Sequence, residues 1–265
     1  LGNRILNNVG GNMLNIVLPM AGRGSRFANA GYTLPKPLIP IHGVPMIKVV
    51  VDNLTPKCEH RFIFVAQQAH IDQYDLVPKL KSYAKNVEII GINGITEGQV
   101  CTALLAQKFF DNDEPLMNAN SDQYIDIDIN EYLDAMNERD LDGMIMTMKA
   151  DDPKWSYART NEDGFVIETA EKKVISEDAT VGIFNFKHGR DLVRAANQMI
   201  ADDIRVNGEF YTCPAYNYLI KEGKKIGIYG IGEEYNGMYG LGIPKDLEFF
   251  LQHPVSQHIK MKVMK

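Results

Sequence analysis

The chain has no run of about 18 consecutive apolar residues, the length a bilayer-spanning helix requires, so no transmembrane helix is expected. Its N-terminus lacks the charged-then-apolar layout of a secretory signal. Cysteine is scarce: Cys58, Cys101 and Cys213 are odd in number and never form a CxxC pair, which excludes a disulfide framework and a zinc ribbon and suits a reducing cytoplasm. Positive charge is in deficit, with a formal net charge of −6, so no global field is available to hold a nucleic-acid backbone. The six histidines are dispersed, which removes any soft-ligand metal cluster. These absences point to a soluble, cytoplasmic globular protein without a nucleic-acid or membrane partner, and they leave homo-oligomerisation open.

At 265 residues with 45% hydrophobic content, the chain is long enough to bury one extended core. Residues 1–12, rich in Asn and Gly, precede Met13 and read as a leader, with Met13 as the natural start. A single domain is expected over 13–252, followed by a solvated tail over 253–265 that carries Lys260, Lys262 and Lys265. Short apolar runs at 15–20, 61–65, 87–92, 143–148, 181–186 and 225–229 read as buried strands. Helical stretches at 46–54, 99–110, 129–136, 188–201 and 214–222 lie between several of them, which predicts an α/β fold. Within 151–175 an Asn161-Glu162-Asp163-Gly164 turn predicts a β-hairpin set on the main sheet.

The first strand runs into Met20-Ala21-Gly22-Arg23-Gly24-Ser25-Arg26-Phe27, and Pro35-Lys36-Pro37 follows about ten residues later. Glycines let backbone N–H groups approach phosphate closely, Ser25 adds a hydroxyl, Arg26 a planar fork, and Lys36 a point charge in a loop stiffened by prolines. No Gly-Lys-Ser/Thr follows, which excludes a P-loop, and the third glycine of the dinucleotide fingerprint is missing. Asp122 ends the stretch Pro115–Ser121 as its single acid, where an α/β sheet gathers its site residues; capping a turn is the plain alternative. Asp126 and Asp128 read as turn or cap residues.

This glycine loop together with Pro35-Lys36-Pro37 resembles the signature of sugar-phosphate nucleotidyltransferases, in particular the bacterial capsule-biosynthesis branch, and the likeness runs in order from Met13 to Phe250. The resemblance implies a Rossmann-like three-layer fold with a mixed, mostly parallel sheet. It implies transfer of a nucleoside monophosphate from a nucleoside triphosphate to a phosphorylated small molecule, with Mg²⁺ as cofactor. By the same match Arg26, Lys36 and Asp122 are catalytic, Asp122 also holding the metal. Met20, Ala21, Gly22, Arg23, Gly24, Ser25, Asn93, Gly98 and Ser121 bind the nucleotide, with Gly98 lining the base pocket. Tyr157, Lys172, Gly182 and Glu209 bind the acceptor, Lys172 through its phosphate; taken without the match, Lys172 reads as an exposed hairpin lysine and Glu209 as a helix-entry residue.

Three departures from the family pattern bear on substrate. Trp155-Ser156-Tyr157-Ala158 puts a methyl group where Tyr-Gly is usual, Met20-Ala21 replaces Gly-Gly, and Gly240 stands in place of an Asp that helps bind metal. The resemblance implies a sugar 1-phosphate as acceptor, as for surface-glycan precursors, while these departures support cytidylyl transfer to phosphocholine or an amino-acid phosphate as the alternative. A glycosyltransferase using Asp126-Ile127-Asp128 and a non-catalytic nucleotide-binding regulator are the readings from other classes.

Overall fold

The computed structural model describes residues 13–259; the expected leader over 1–12 and Lys260–Lys265 lie outside it. The strands are β1 (Leu14–Pro19), β2 (Pro40–Ile41), β3 (Val44–Pro45), β4 (His60–Gln67), β5 (Val87–Ile92), β6 (Leu116–Ala119), β7 (Gln123–Ile125), β8 (Gly143–Lys149), β9 (Ser156–Thr160), β10 (Val166–Glu171), β11 (Asp178–Phe186), β12 (Ile226–Glu234) and β13 (Gly237–Gly240). The helices are α1 (Ser25–Asn29), α2 (Met46–Leu54), α3 (Gln68–Tyr74), α4 (Leu76–Lys81), α5 (Gln99–Leu104), α6 (Ile129–Glu138), α7 (Gly189–Ala201), α8 (Tyr216–Lys221) and α9 (Pro244–Gln252).

One sheet runs β5-β4-β1-β6-β11-β8-β12-β13-β7. Five of the eight pairings along this path are parallel, so the sheet is mixed and its main path mostly parallel, with the antiparallel β9 and β10 joined to β11. Both faces are covered, as a parallel sheet demands. In β1, Ile16 and Leu18 enter the core on one face, with Met46 of α2 and Phe250 of α9, while Val17 enters the other, with Leu192 of α7 and Tyr216 of α8. This alternation with no polar face is why these runs are continuously apolar in sequence. The fold is the expected three-layer Rossmann-like arrangement.

The hairpin β9–β10 turns at Asn161, whose Oδ1 accepts from the amides of Asp163 and Phe165, and Tyr157 joins it to β11 opposite Ala179. The expected helix 99–110 is shorter than its pattern: α5 stops at Leu104 and a separate 3-10 turn covers Gln107–Phe109. Likewise 214–222 divides into a 3-10 turn at Cys213–Ala215 and α8. The tail also differs from expectation over 253–259. Ser256 and Ile259 are buried, His258 Nε2 lies 3.0 Å from the Tyr124 hydroxyl, and Ser256 Oγ lies 2.8 Å from His42 Nε2. Apolar and hydrogen-bonding residues of this segment close over α2 and β7 instead of standing in solvent.

Candidate active site

Two adjoining cavities of about 420 and 340 Å³ open where the strand ends meet, and Gln99, Asn120 and Tyr211 stand in the walls of both. Gln99 Nε2 donates to Asn120 Oδ1, which makes the seam a fixed ridge. The larger cavity holds Met20, Ala21, Gly22, Lys36, Gly98, Ser121, Asp122 and, towards the seam, Glu209. In the smaller stand Arg26, Lys172 and Gly182.

In the larger cavity, Met20 donates its amide to Val65 O at 2.8 Å and so stays registered with the sheet. Beyond it, the amides of Gly22, Arg23 and Gly24 donate to no acceptor among the described residues, which leaves a run of N–H groups for an anion. Gln67 ties this loop to the one after β5, since its Nε2 donates to Ala21 O at 2.6 Å and to Gly94 O at 2.7 Å. Met20 and Ala21 are buried, so their side chains pack inward while the loop still lines the cavity. Lys36 Nζ donates to Asp122 Oδ2 at 2.6 Å, joining the two catalytic candidates across 86 residues of sequence. Ser121 Oγ donates to Pro19 O at 3.1 Å, pinning the Asp122 turn to the end of β1.

Gly98 is required by both conformation and space. Its φ is 139°, and a Cβ there would lie 2.2 Å from Phe210 O. Thr96 and Thr102 hydroxyls, 2.6 Å apart, brace the same turn. Gly182 likewise has φ 78° and presses against the Asn120 side chain, at a register shift in the β11–β8 pairing.

In the smaller cavity, Lys172 leaves β10 with φ 53°, a conformation uncommon for a non-glycine residue and found where a site over-determines the backbone. Its amide donates to Trp155 O at 3.0 Å, and its Nζ donates to the Tyr211 hydroxyl at 2.7 Å. Tyr211 in turn donates to Glu209 Oε2 at 2.7 Å. Burial and that carboxylate push the Tyr211 phenol up, which keeps it protonated as a donor. Glu171 also lines this cavity and accepts from Ser156 Oγ.

Not every expected residue reaches the cleft. Tyr157 is fully buried with its hydroxyl donating to Asp152 O at 2.8 Å, so it braces the hairpin, and its neighbours Trp155 and Ser156 face the acceptor cavity instead. Ala158 is also fully buried, so its methyl group packs in the core and takes no space from an acceptor. Arg23, Gly24, Ser25 and Asn93 line neither cavity; Ile92 and Ile95 flank Asn93 in the wall. Arg26 stands with Lys172 in the smaller cavity, apart from Lys36. Sequence reasoning did not assign Gln67, Gln99, Asn120 or Tyr211, because amide and phenol side chains carry no spacing signal.

Among the described residues no group of three or more His, Cys, Asp or Glu is placed to hold a metal. A Cβ on Gly240 would meet Asp246 Oδ2 at 3.1 Å, and Asp246 is held by the Tyr235 hydroxyl. Asp122 shares the larger cavity with Glu209, whose carboxylate is engaged by the Tyr211 hydroxyl. One carboxylate completed by substrate phosphates and water suits Mg²⁺, so the residues present fit that ion. Asp128, by contrast, caps α6: its side chain accepts from the Asn130 amide, which holds its carboxyl below the usual range. It lines neither half of the cleft, which removes the glycosyltransferase reading of Asp126-Ile127-Asp128.

A mixed α/β sheet with an amide-lined glycine loop, a Lys–Asp pair and an adjoining basic cavity defines a nucleotide-dependent transferase. The nucleotidyl transferase family model matches residues 15–205, and the chain belongs to that family. Its structure is similar to a nucleoside-diphosphate-sugar pyrophosphorylase from Vibrio cholerae RC9, at 26% identity, covering 90% of this chain and 100% of that one with a TM-score of 0.73. In fold it also resembles the inositol-1-phosphate CTP transferase from T. maritima, at 15% identity, covering 95% and 97% with a TM-score of 0.71. A UTP-bound UGPase from Acinetobacter baumannii matches at 15% identity, covering 96% and 99% with a TM-score of 0.68. The chain is accordingly a nucleotidyltransferase. No helix among the described residues is long and apolar enough to cross a membrane.

Proposed function

We propose that the cleft transfers a nucleoside monophosphate from a nucleoside triphosphate to a sugar 1-phosphate, giving a nucleotide sugar for capsule or surface-glycan synthesis in the cytoplasm. The observation that carries this reading is the pair of cavities joined at Gln99, Asn120 and Tyr211, one with Lys36 and Asp122, the other with Arg26 and Lys172. An acceptor phosphate oxygen, already anionic near neutral pH, bonds to the α-phosphorus. The bond from that phosphorus to the bridging oxygen breaks, and pyrophosphate leaves with the electron pair. No side-chain nucleophile or general base is needed; positioning and charge stabilisation do the work.

Lys36 stabilises the triphosphate from its side of the seam, while Lys172 and Arg26 hold the acceptor phosphate in line from the other. Tyr211 fixes the Lys172 ammonium, and Glu209 fixes Tyr211. Asp122 would hold Mg²⁺, which would supply neutralisation of the phosphate charge. Gly98 and the residues around it shape the base pocket. Cytidylyl transfer to a non-sugar phosphate stays as a second reading, supported by Gly240 in place of the family acid and by the carboxylate Glu171 in the acceptor wall.

Pyrophosphate release with Mg²⁺, each common nucleoside triphosphate and a panel of phosphates tests the reading. Release confined to sugar 1-phosphates is expected; release only with CTP and phosphocholine or a phosphorylated amino acid would favour the second. Arg26→Ala and Asp122→Asn should each lower turnover by about a hundredfold or more with the fold retained by circular dichroism. Near-normal turnover in either would overturn its assigned role.

A further inference from the structure

Every charged residue in the cleft lines one cavity only: Lys36, Asp122 and Glu209 the larger, Arg26, Lys154, Glu171 and Lys172 the smaller. The side chains in the walls of both are the neutral Gln99, Asn120 and Tyr211. On the transfer reading above, the bond that forms joins a group in one cavity to a group in the other, so the reacting phosphorus lies at the seam beside these three. Two of them are committed elsewhere. The Tyr211 hydroxyl accepts from Lys172 Nζ and donates to Glu209 Oε2, each at 2.7 Å. Gln99 Nε2 directs one of its two hydrogens to Asn120 Oδ1. Asn120 Nδ2 keeps both of its hydrogens, with no acceptor among the described residues.

That carboxamide is held from three directions. The Asn120 amide donates to Gly182 O at 2.9 Å, its Oδ1 accepts from Gln99, and its Nδ2 lies against Gly182, where a Cβ would come within 2.0 Å of it. Gly182, at φ 78°, is therefore the residue that leaves room for Asn120. A donor fixed before the substrates arrive needs no reorganisation as charge develops on a phosphoryl oxygen, and a neutral one serves two phosphates where a carboxylate would repel both. Resting on the transfer reading, we propose that Asn120 is a catalytic residue whose Nδ2 donates to a non-bridging oxygen of the α-phosphoryl group. It does so while the acceptor oxygen bonds to that phosphorus and pyrophosphate leaves with the electron pair of the broken P–O bond; Asn120 keeps its protons throughout. Gln99 and Gly182 are the positioning residues that aim it.

Pyrophosphate release with Mg²⁺ is measured for wild type, Asn120→Ala, Gln99→Leu and the double variant, using the triphosphate and acceptor that wild type turns over best in the panel above. The same set is repeated with the two α-phosphorothioate diastereomers of that triphosphate. Asn120→Ala should lower kcat by about tenfold or more while both KM values stay within about threefold of wild type. Sulfur accepts a hydrogen bond poorly, so with one diastereomer that deficit should shrink by about threefold or more, a change that a merely structural residue would not make. Gln99→Leu should lower kcat less, and should add little to the loss already present in the double variant. If Asn120→Ala does not match the wild-type circular dichroism, Asn120→Ser, with a small polar side chain, carries the same comparison. A kcat within about threefold of wild type, or a deficit equal for oxygen and both sulfur substrates, would overturn the inference and leave nucleotidyl transfer intact. Silence of the wild-type enzyme with every nucleotide and acceptor would overturn the transfer reading and this inference with it.

Discussion

Glu171 couples stability to pH. Burial pushes its carboxyl above the ordinary glutamate value, opposed by the Ser156 hydroxyl and by Lys172. The folded chain therefore holds this proton more tightly than the unfolded chain. Stability is lost as pH rises from the ordinary glutamate value through the raised folded value, and the loss levels off above it. Thermal unfolding of wild type and Glu171→Gln from about pH 4 to about pH 8 should show the variant gaining on the wild type as pH rises and then holding a constant lead. A gap that does not vary with pH would show that the carboxyl is not desolvated. Lys36 and Asp122 carry the opposite lesson: each was named from its own short motif, and their contact at 2.6 Å exists only because β1 and β6 are neighbours.

The elements explain which glycines matter. α5 begins at Gly98, where the Phe210 amide donates to Glu97 O at 2.8 Å on one side and the Val100 amide donates to Phe210 O at 3.4 Å on the other. A side chain has no room between them. Gly98→Ala is expected to cost about 2 kcal/mol or more, a fall of roughly 4 °C or more in melting temperature, with nucleotide binding weakened as the base wall shifts. Unchanged melting would show that the turn relaxes freely. The motif around Gly98 was legible because a glycine at a helix start is a local signal. The early end of α5 was not, because no glycine or proline marks Leu105 or Ala106; packing between the sheet and Phe110 decides it. The same holds for the hairpin: the Asn161–Gly164 turn is written in sequence, whereas the exchange of Tyr157 for Ser156 at the cleft depends on which face of β9 meets the core.

At the scale of the molecule, the segment from His253 to Ile259 closes one end of the larger core by covering Tyr124 and its neighbours. Truncation after Gln252 removes the buried Ile259 side chain and the Tyr124–His258 contact, and should cost about 2 kcal/mol or more, read as a lower melting temperature. Melting that matches the full chain would mean this segment adds nothing to the fold. Sequence alone determined the strand and helix class and marked the glycine-loop, Pro-Lys-Pro and Asp122 motifs, because each is set by local periodicity, turn chemistry or a compact motif. Tertiary structure alone decided that Arg26 shares a cavity with Lys172 and not with Lys36, that Gln99, Asn120 and Tyr211 form the seam, and that Glu171 stands in the same wall as Lys172. Those facts depend on strand order and on which side of a pleat each residue occupies, and chain neighbours carry no record of contacts made between strands far apart in sequence.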